Sequence, residues 1–432
     1  MITKNLPFVV LLGIALFLPA WVLAETGATP DAALATGGRL SPEILISEAA
    51  SMPQADRYAP DVAANYVRGE YLVVWHNKWP DGRRDVYARR VSGGGRPLSW
   101  FAITTGASDR LQPAAAFNAA DAEYLVVWMQ DASGTGTQYE IWGRIVAWDG
   151  SYQKPEFKII SWPGRSMWTP RVVYNHNRNQ YLVVRSAFDT TTKLATDVSS
   201  MLLDNKGNLL QGRVLTTSTY PHQADVAYGW ATDEYLVVFV RSYTQATTGN
   251  DIYGLRVSAA NAVVSPPGVI TIHSGPQNQN APRVASDGKG DYMVIWEYEF
   301  QPTDRDIHAR RMKQNGQPDG AKFTVSNWPQ DESNPVVVAS FGSTPEYLAV
   351  WQRVMAQGTA LAATRWGDAL DKQRISFPEP ISYESVKPAV DFARPNYLIA
   401  SEGDSTGNPM VSRQIYGRIW APYAAWLPVM VR

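Results

Sequence analysis

The residues best suited to grip a ligand in this chain are aromatic. Trp79, Tyr139, Trp162, Trp168, Tyr220, Tyr243, Tyr298, Phe300 and Trp328 stand in polar stretches among Asp, Asn and Gln, and Trp162-Pro163 and Trp328-Pro329 recur at equivalent places. A flat ring beside amide and carboxylate groups suits a sugar ring or a peptide, through stacking plus hydrogen bonds. With His222, which falls near the start of an innermost strand, the expected ligand-binding set is Trp79, Trp162, Trp168, Tyr220, His222, Tyr243, Tyr298 and Trp328. The competing use of the same rings is ordinary packing over the ends of the elements that carry them.

Signals for catalysis are weak by comparison. Gly403-Asp404-Ser405-Thr406-Gly407 has the spacing of a hydrolase nucleophile elbow. That elbow needs a strand before it and a helix after it, but Pro409 and a strand pattern from Gln414 follow, so a polar hairpin loop is the better reading. His76, His176, His222, His273 and His308 are scattered without metal-ligand spacing. With no cysteine there is no thiol nucleophile and no thiolate metal site. Calcium loops, sialidase-type Asp boxes, phosphate-binding glycine loops and dinucleotide fingerprints are missing from the sequence. No catalytic residue, metal ligand or cofactor is therefore assigned. An enzymatic alternative would draw two carboxylates from Asp81, Asp131, Glu297, Glu299, Asp304 and Asp404 over a common centre.

The elements that must position these residues are set by a repeat. Tyrosines at 71, 124, 181, 235, 292, 347 and 397 each open a short apolar run, most often Tyr-Leu-Val-Val-Trp, at intervals of 50 to 57 residues. Five residues rich in β-branched and aromatic types, bounded by polar segments, favour a strand. Both faces of that strand are apolar, so another sheet must pack on each side. Three further strand candidates accompany each run. One follows a proline, as at Pro60–Asn65, Pro113–Asn118 and Pro170–Asn175; one reads Asp-Ile-Tyr-Gly-x-Arg-Val or close to it; a short fourth includes Phe101–Thr104. The acids opening the third strands (Asp85, Glu140, Asp197, Asp251 and Asp306) recur in most units, so they are expected to accept hydrogen bonds from the preceding loop rather than to react.

Four strands per unit, seven times over, predict an all-β fold: a seven-bladed β-propeller of four-stranded antiparallel blades. The seventh unit has only three strands, ending at Trp420. Residues 43–47 read like a fourth strand, so an N-terminal strand pairing with 414–420 is expected to complete the last blade and close the ring. The repeat resembles those of uncharacterised secreted bacterial seven-bladed β-propeller repeat proteins with the same Tyr-Leu-Val-Val-Trp and Asp-Ile-Tyr-Gly segments. The likeness covers residues 41 to 420, and it implies architecture but no catalytic residues. Trp is replaced by Arg185, Phe239 and Ser401, and Tyr-Gly by Ser199-Ser200 and Ala362-Ala363.

Around this core the expected organisation is a signal peptide at 1–24, a flexible leader at 25–40, the propeller at 41–420 and an apolar tail at 421–432. The apolar stretch from Leu6 to Leu18 is shorter than the about 20 residues needed to span a bilayer. Loss of Lys4 with the signal leaves a charge of about −2, without the basic excess expected of a protein that binds phosphate backbones or anionic lipid. Neither nucleic-acid binding nor membrane insertion after signal cleavage is expected. The sequence thus points to a secreted, extracellular or cell-surface, non-catalytic propeller that binds a glycan or protein partner through the rim of its longer loops. An extracellular polysaccharide hydrolase or lyase and a structural surface component are the alternatives.

Overall fold

The structure, a computed structural model, describes residues 39–47, 55–218, 220–242, 249–266, 268–301, 303–340, 345–356, 358–367, 372–375, 377, 388–393, 396–403 and 413–421. The expected signal peptide, residues 25–38 of the expected leader, residues 422–432, Tyr243 and the Asp404–Gly407 part of the elbow-like stretch lie outside them. Seven antiparallel sheets follow one another along the chain. Blade one is the meander Asp56–Asn65, Glu70–Lys78, Arg84–Ser92 and Pro97–Thr104, from the innermost strand outward. Blades two to six repeat that order over 110–160, 165–216, 221–273, 279–326 and 332–375.

The tyrosine runs lie where two-sided apolarity demands. Tyr71, Leu72, Val73 and Val74 are fully buried, as are Tyr181–Val184 and Tyr235–Val238. Tyr71, Val73 and Trp75 pack with Leu398 and Ala400 of blade seven, while Leu72 and Val74 pack with Ala115, Tyr124 and Val126 of blade two. Each run therefore fills two interfaces at once, and each side chain so buried stabilises the ring by about 1.5–3 kcal/mol. The tyrosine hydroxyl reaches the preceding blade: Asn175 Nδ2 donates to Tyr235 Oη (3.0 Å), and Tyr71 Oη donates to the Asn396 carbonyl (2.6 Å).

Blade seven consists of Pro388–Ala393, Asn396–Gly403 and Gln414–Ala421, completed by the start of the described chain. Ile44 and Leu45 pair with Gly417 and Tyr416. Arg39 and Leu40 also pair, with Ala421 and Trp420, so closure starts inside the stretch expected to be a flexible leader. Leu40 packs on the blade six–seven core, and Ser41 exchanges hydrogen bonds with Ile419, which is why this stretch is ordered. Ile46 occupies the fourth-strand position in full. A Cβ added to Gly143, Gly254 or Gly417 in the third strands would lie 3.0 Å from Ile159 Cδ1, 3.1 Å from Ile272 Cδ1 or 2.5 Å from Ile46 Cδ1, so in blades two, four and seven the glycine admits an equivalent isoleucine.

The third-strand acids are tied into hydrogen bonds: Asp85 accepts from Trp79 Nε1 (2.8 Å) and Arg83 Nη1 (2.9 Å) of the preceding loop, as expected, and further partners lie elsewhere. Asp85 and Asp251 accept from the amides of Gly106 and Gly275 (3.0 Å each), which lie in the loop leaving the fourth strand and so fix the crossing to the next blade. In blade three, where Arg185 replaces tryptophan, the guanidinium is fully buried. Its Nη1 lies 2.5 Å from Asp197 Oδ1, and Asp197 also accepts from Arg165 Nη1 (2.5 Å) and Ser199 Oγ (2.6 Å).

Candidate functional site

In blades one to six the innermost strand has two parts joined by a bulge, which the sequence did not reveal. Pairing with the second strand breaks between Tyr58 and Asp61, Leu111 and Ala114, Trp168 and Arg171, His222 and Asp225, Asn280 and Arg283, and Ser333 and Val336. In each break one residue has left-handed φ of 48–52°: Ala59, Gln112, Thr169, Gln223, Ala281 and Asn334. The proline expected to start the strand follows this residue in five of the six blades and sits at the bulge, where its missing N–H breaks no ladder bond. The strands in fact begin about four residues earlier. Several bulge amides are claimed by the preceding blade, since Asn334 N donates to Glu297 Oε1 (2.7 Å) and Ala281 N to Gln223 Oε1 (2.8 Å).

The segments before the bulges lie at the end of the ring where the second-to-third-strand loops and the blade-to-blade loops emerge, and two of their side chains stand out. In blades three and four these are Trp168 and His222, and they join a continuous aromatic strip. Tyr139 meets Trp168 edge-on (ring centroids 6.1 Å), Trp168 meets Phe188 (5.8 Å) and Phe188 meets His222 (6.5 Å). Trp168 Nε1 donates to Ser166 Oγ (3.1 Å), whose oxygen also accepts from Tyr139 N (3.0 Å). His222 Nδ1 lies 3.0 Å from the Tyr220 carbonyl oxygen. An acceptor there requires Nδ1–H, and burial lowers the imidazole pKa, so the ring is neutral with Nε2 as its acceptor. Trp168 remains 38% exposed.

The other expected residues are placed separately. Trp162 is 43% exposed, with the Arg165 guanidinium 4.8 Å from its ring centroid. Trp328 carries two such neighbours, Arg353 at 4.7 Å and Arg374 at 5.4 Å. Trp79 packs against the core and donates to Asp85 Oδ2 (2.8 Å). Tyr298 is engaged by stacking on His308 (4.4 Å, 13°), by Lys322 Nζ at 4.7 Å and by a hydrogen bond to Gln277 Oε1 (2.9 Å). The structure thus brings Trp168, Tyr220 and His222 together, and adds Phe188, which the sequence reading missed. An aromatic at the end of a tyrosine run, just before a polar loop, is the signal that would have found it.

The loop carboxylates proposed for catalysis are mostly tied to local structure. Asp131 accepts from the amides of Ser133 and Gly136 (2.9 Å each), Glu299 from Asn278 Nδ2 (2.6 Å), Asp81 from Arg83 N (3.0 Å), and Glu297 from Asn334 N and Arg305 Nη1 (3.1 Å). Asp304 and Asp306 share one face of a third strand, away from the channel. Burial and Asp304 push the Asp306 carboxyl up to about 6. Among the described residues no three His, Cys, Asp or Glu side chains group as metal ligands.

Below the bulges the innermost strands enclose a central cavity of about 340 Å³. Its walls are Val and Ala for the most part, interrupted by Asp61, Arg171, Asp225, Arg283 and Asp391, with Tyr66, His176 and Trp230 at the end opposite the rim.

No protein family matches the chain, and no curated protein matches its sequence. Solved structures do. A protein of unknown function from Dyadobacter fermentans shares 11% identity over 89% of this chain and 99% of its own, with a TM-score of 0.52. The Hadza microbial sialidase Hz136 shares 9% identity over 89% and 69%, with a TM-score of 0.49. The β-propeller domain of the Trilobed protease from Pyrococcus furiosus shares 10% identity over 84% and 95%, with a TM-score of 0.48. At such identities the likeness shows the fold alone, that of a β-propeller, and in this chain the ring has seven blades.

Proposed function

We propose that this protein is a secreted, non-catalytic propeller that binds an extracellular glycan through its loop rim, centred on the strip Tyr139, Trp168, Phe188 and His222. The strip is the observation that carries the reading: an exposed indole edge-packed between two aromatics, beside a neutral imidazole acceptor. Stacking on such a ring contributes affinity, and adjacent polar atoms give orientation. A protein partner would use the same surface, but stacking rings with polar atoms beside them favour a sugar chain. The capture of most loop carboxylates by backbone amides and arginines supports binding over hydrolysis. The test is a glycan array followed by calorimetry on the best binder. Trp168→Ala is expected to weaken binding at least tenfold with an unchanged Tm. No glycan bound, equal binding by the variant, or release of reducing ends from a bound polysaccharide overturns the reading.

A further inference from the structure

The channel contains charges that neither the repeat nor the rim explains. One position, the residue after the bulge proline or its equivalent, carries Asp61 in blade one, Arg171 in three, Asp225 in four and Arg283 in five, but Ala114 and Val336 in two and six. Charge among walls built mainly of Val and Ala is costly unless compensated, so each of the four needs a partner.

The two acids have structural ones. Asp61 Oδ2 accepts from Ala115 N (2.9 Å), and Asp225 Oδ2 from Val284 N (3.0 Å). Both donors belong to the next blade's innermost strand, whose channel-facing edge has no strand beside it, so the carboxylates close exposed backbone donors. No such task falls to the arginines. Arg171 Nε lies 3.7 Å from Asp225 Oδ1, too far for a hydrogen bond, and Arg283 makes no hydrogen bond or ion pair among the described residues. Burial and the charge of Arg171 together bring Arg283 down to about 10, which leaves it cationic at neutral pH.

We infer that the central channel binds a small organic carboxylate, seated on the Arg283 guanidinium with Arg171 as second cation. A guanidinium offers two parallel N–H donors that match the two oxygens of a carboxylate. The cavity volume lies at the small end of the range for ligand sites, about 300–1,000 Å³. Its valine and alanine walls suit the apolar body of a small aromatic or aliphatic acid better than a hydroxyl-rich one. A phosphate dianion fits less well, because Asp61, Asp225 and Asp391 already line the same space. The site is separate from the rim strip, so the two proposals stand or fall apart.

The full chain would be titrated calorimetrically with galacturonate, benzoate and acetate, and with galactose and inorganic phosphate, at constant ionic strength. The expected result is saturable binding of at least one of the three carboxylates, with galactose and phosphate weaker. Arg283→Gln should raise the Kd at least tenfold, and Arg283→Lys, which keeps the charge but not the fork, by three- to tenfold. Trp168→Ala should leave the Kd unchanged. Arg283→Gln is expected to fold, since no hydrogen bond or ion pair of Arg283 among the described residues is lost; should it not, Arg283→Lys carries the same comparison. No carboxylate binding up to about 10 mM, equal or tighter binding of phosphate, or unchanged affinity in the Arg283 variants overturns the inference.

Discussion

Ring closure rests on a short segment, and Ile46 is the residue through which it can be measured. Its side chain is fully buried against Val62, Tyr71, Leu398, Ile415 and Ile419, and its amide donates to the Ile415 carbonyl (2.8 Å). Ile46→Ala removes three carbons, or about 2.4 kcal/mol of transfer free energy at about 0.8 kcal/mol each, plus a cavity term that places the total at about 3–5 kcal/mol. For a chain of 432 residues an unfolding entropy of about 2.1 cal/mol/K per residue gives about 0.9 kcal/mol/K, so Tm should fall by about 3–6 °C. Leu45→Ala, at the neighbouring but 42% exposed position, should move it by less than about 1 °C. Thermal unfolding followed by near-ultraviolet circular dichroism reads both. A chain starting at Ala55 should lose more than the point variant and associate on a sizing column, since it leaves open the edge of strand Gln414–Ala421. The closure argument fails if Ile46→Ala and the chain starting at Ala55 both melt at the temperature of the unaltered protein.

Two further outcomes test the charged interior. Asp197→Ala leaves the buried Arg185 guanidinium without its carboxylate and should cost about 3–5 kcal/mol in denaturant unfolding; the double change Arg185→Met with Asp197→Ala should recover much of that, and a loss as large as the single variant's would refute the pairing. In blade five His308 is buried, with Nδ1 2.8 Å from Lys322 Nζ, and burial and Lys322 bring its pKa down to about 3. Because the folded value lies below the unfolded value of about 6.5, its stability contribution is present above pH 6.5 and is lost as pH falls toward 3, by up to about 1.4 kcal/mol per pH unit. His273, brought down to about 4, acts in the same direction; Asp306, pushed up to about 6, opposes both. His308→Tyr, which restores the tyrosine seen at Tyr87 and Tyr253, should flatten the Tm decline between pH 6.5 and 4. An unaltered profile would show that this imidazole does not control it.

The buried charges follow one rule. A propeller presents its innermost strands edge-on to the channel, so their free amides need acceptors that a β-ladder does not supply. Asp61, Asp225 and Asp391 each meet one amide of the next blade, at Ala115, Val284 and Ala64 (2.7 Å for the last). These bonds tie blade one to two, four to five, and seven to one. Arg171 and Arg283 fall outside that rule, which is why the channel ligand is inferred from them.

Sequence alone determined the strands, the blade number and the closing segment, because each is written in local pattern. Tyr71–Trp75 is apolar on both faces wherever it is placed, and Ser41–Ser47 resembles the fourth strands. Only the tertiary structure decided the bulges, since their left-handed residues are Ala59, Gln112, Thr169, Gln223, Ala281 and Asn334, a mixture with no glycine signature, and each falls where pairing between the innermost and second strands breaks. It also decided which aromatics meet, because Tyr139, Trp168, Phe188 and His222 come from three blades and are neighbours only once those blades are packed. The channel charges lay in between. Asp61, Arg171, Asp225 and Arg283 visibly interrupt small apolar segments at one repeated position, but that they share a cavity follows from ring closure, which no local window of sequence contains.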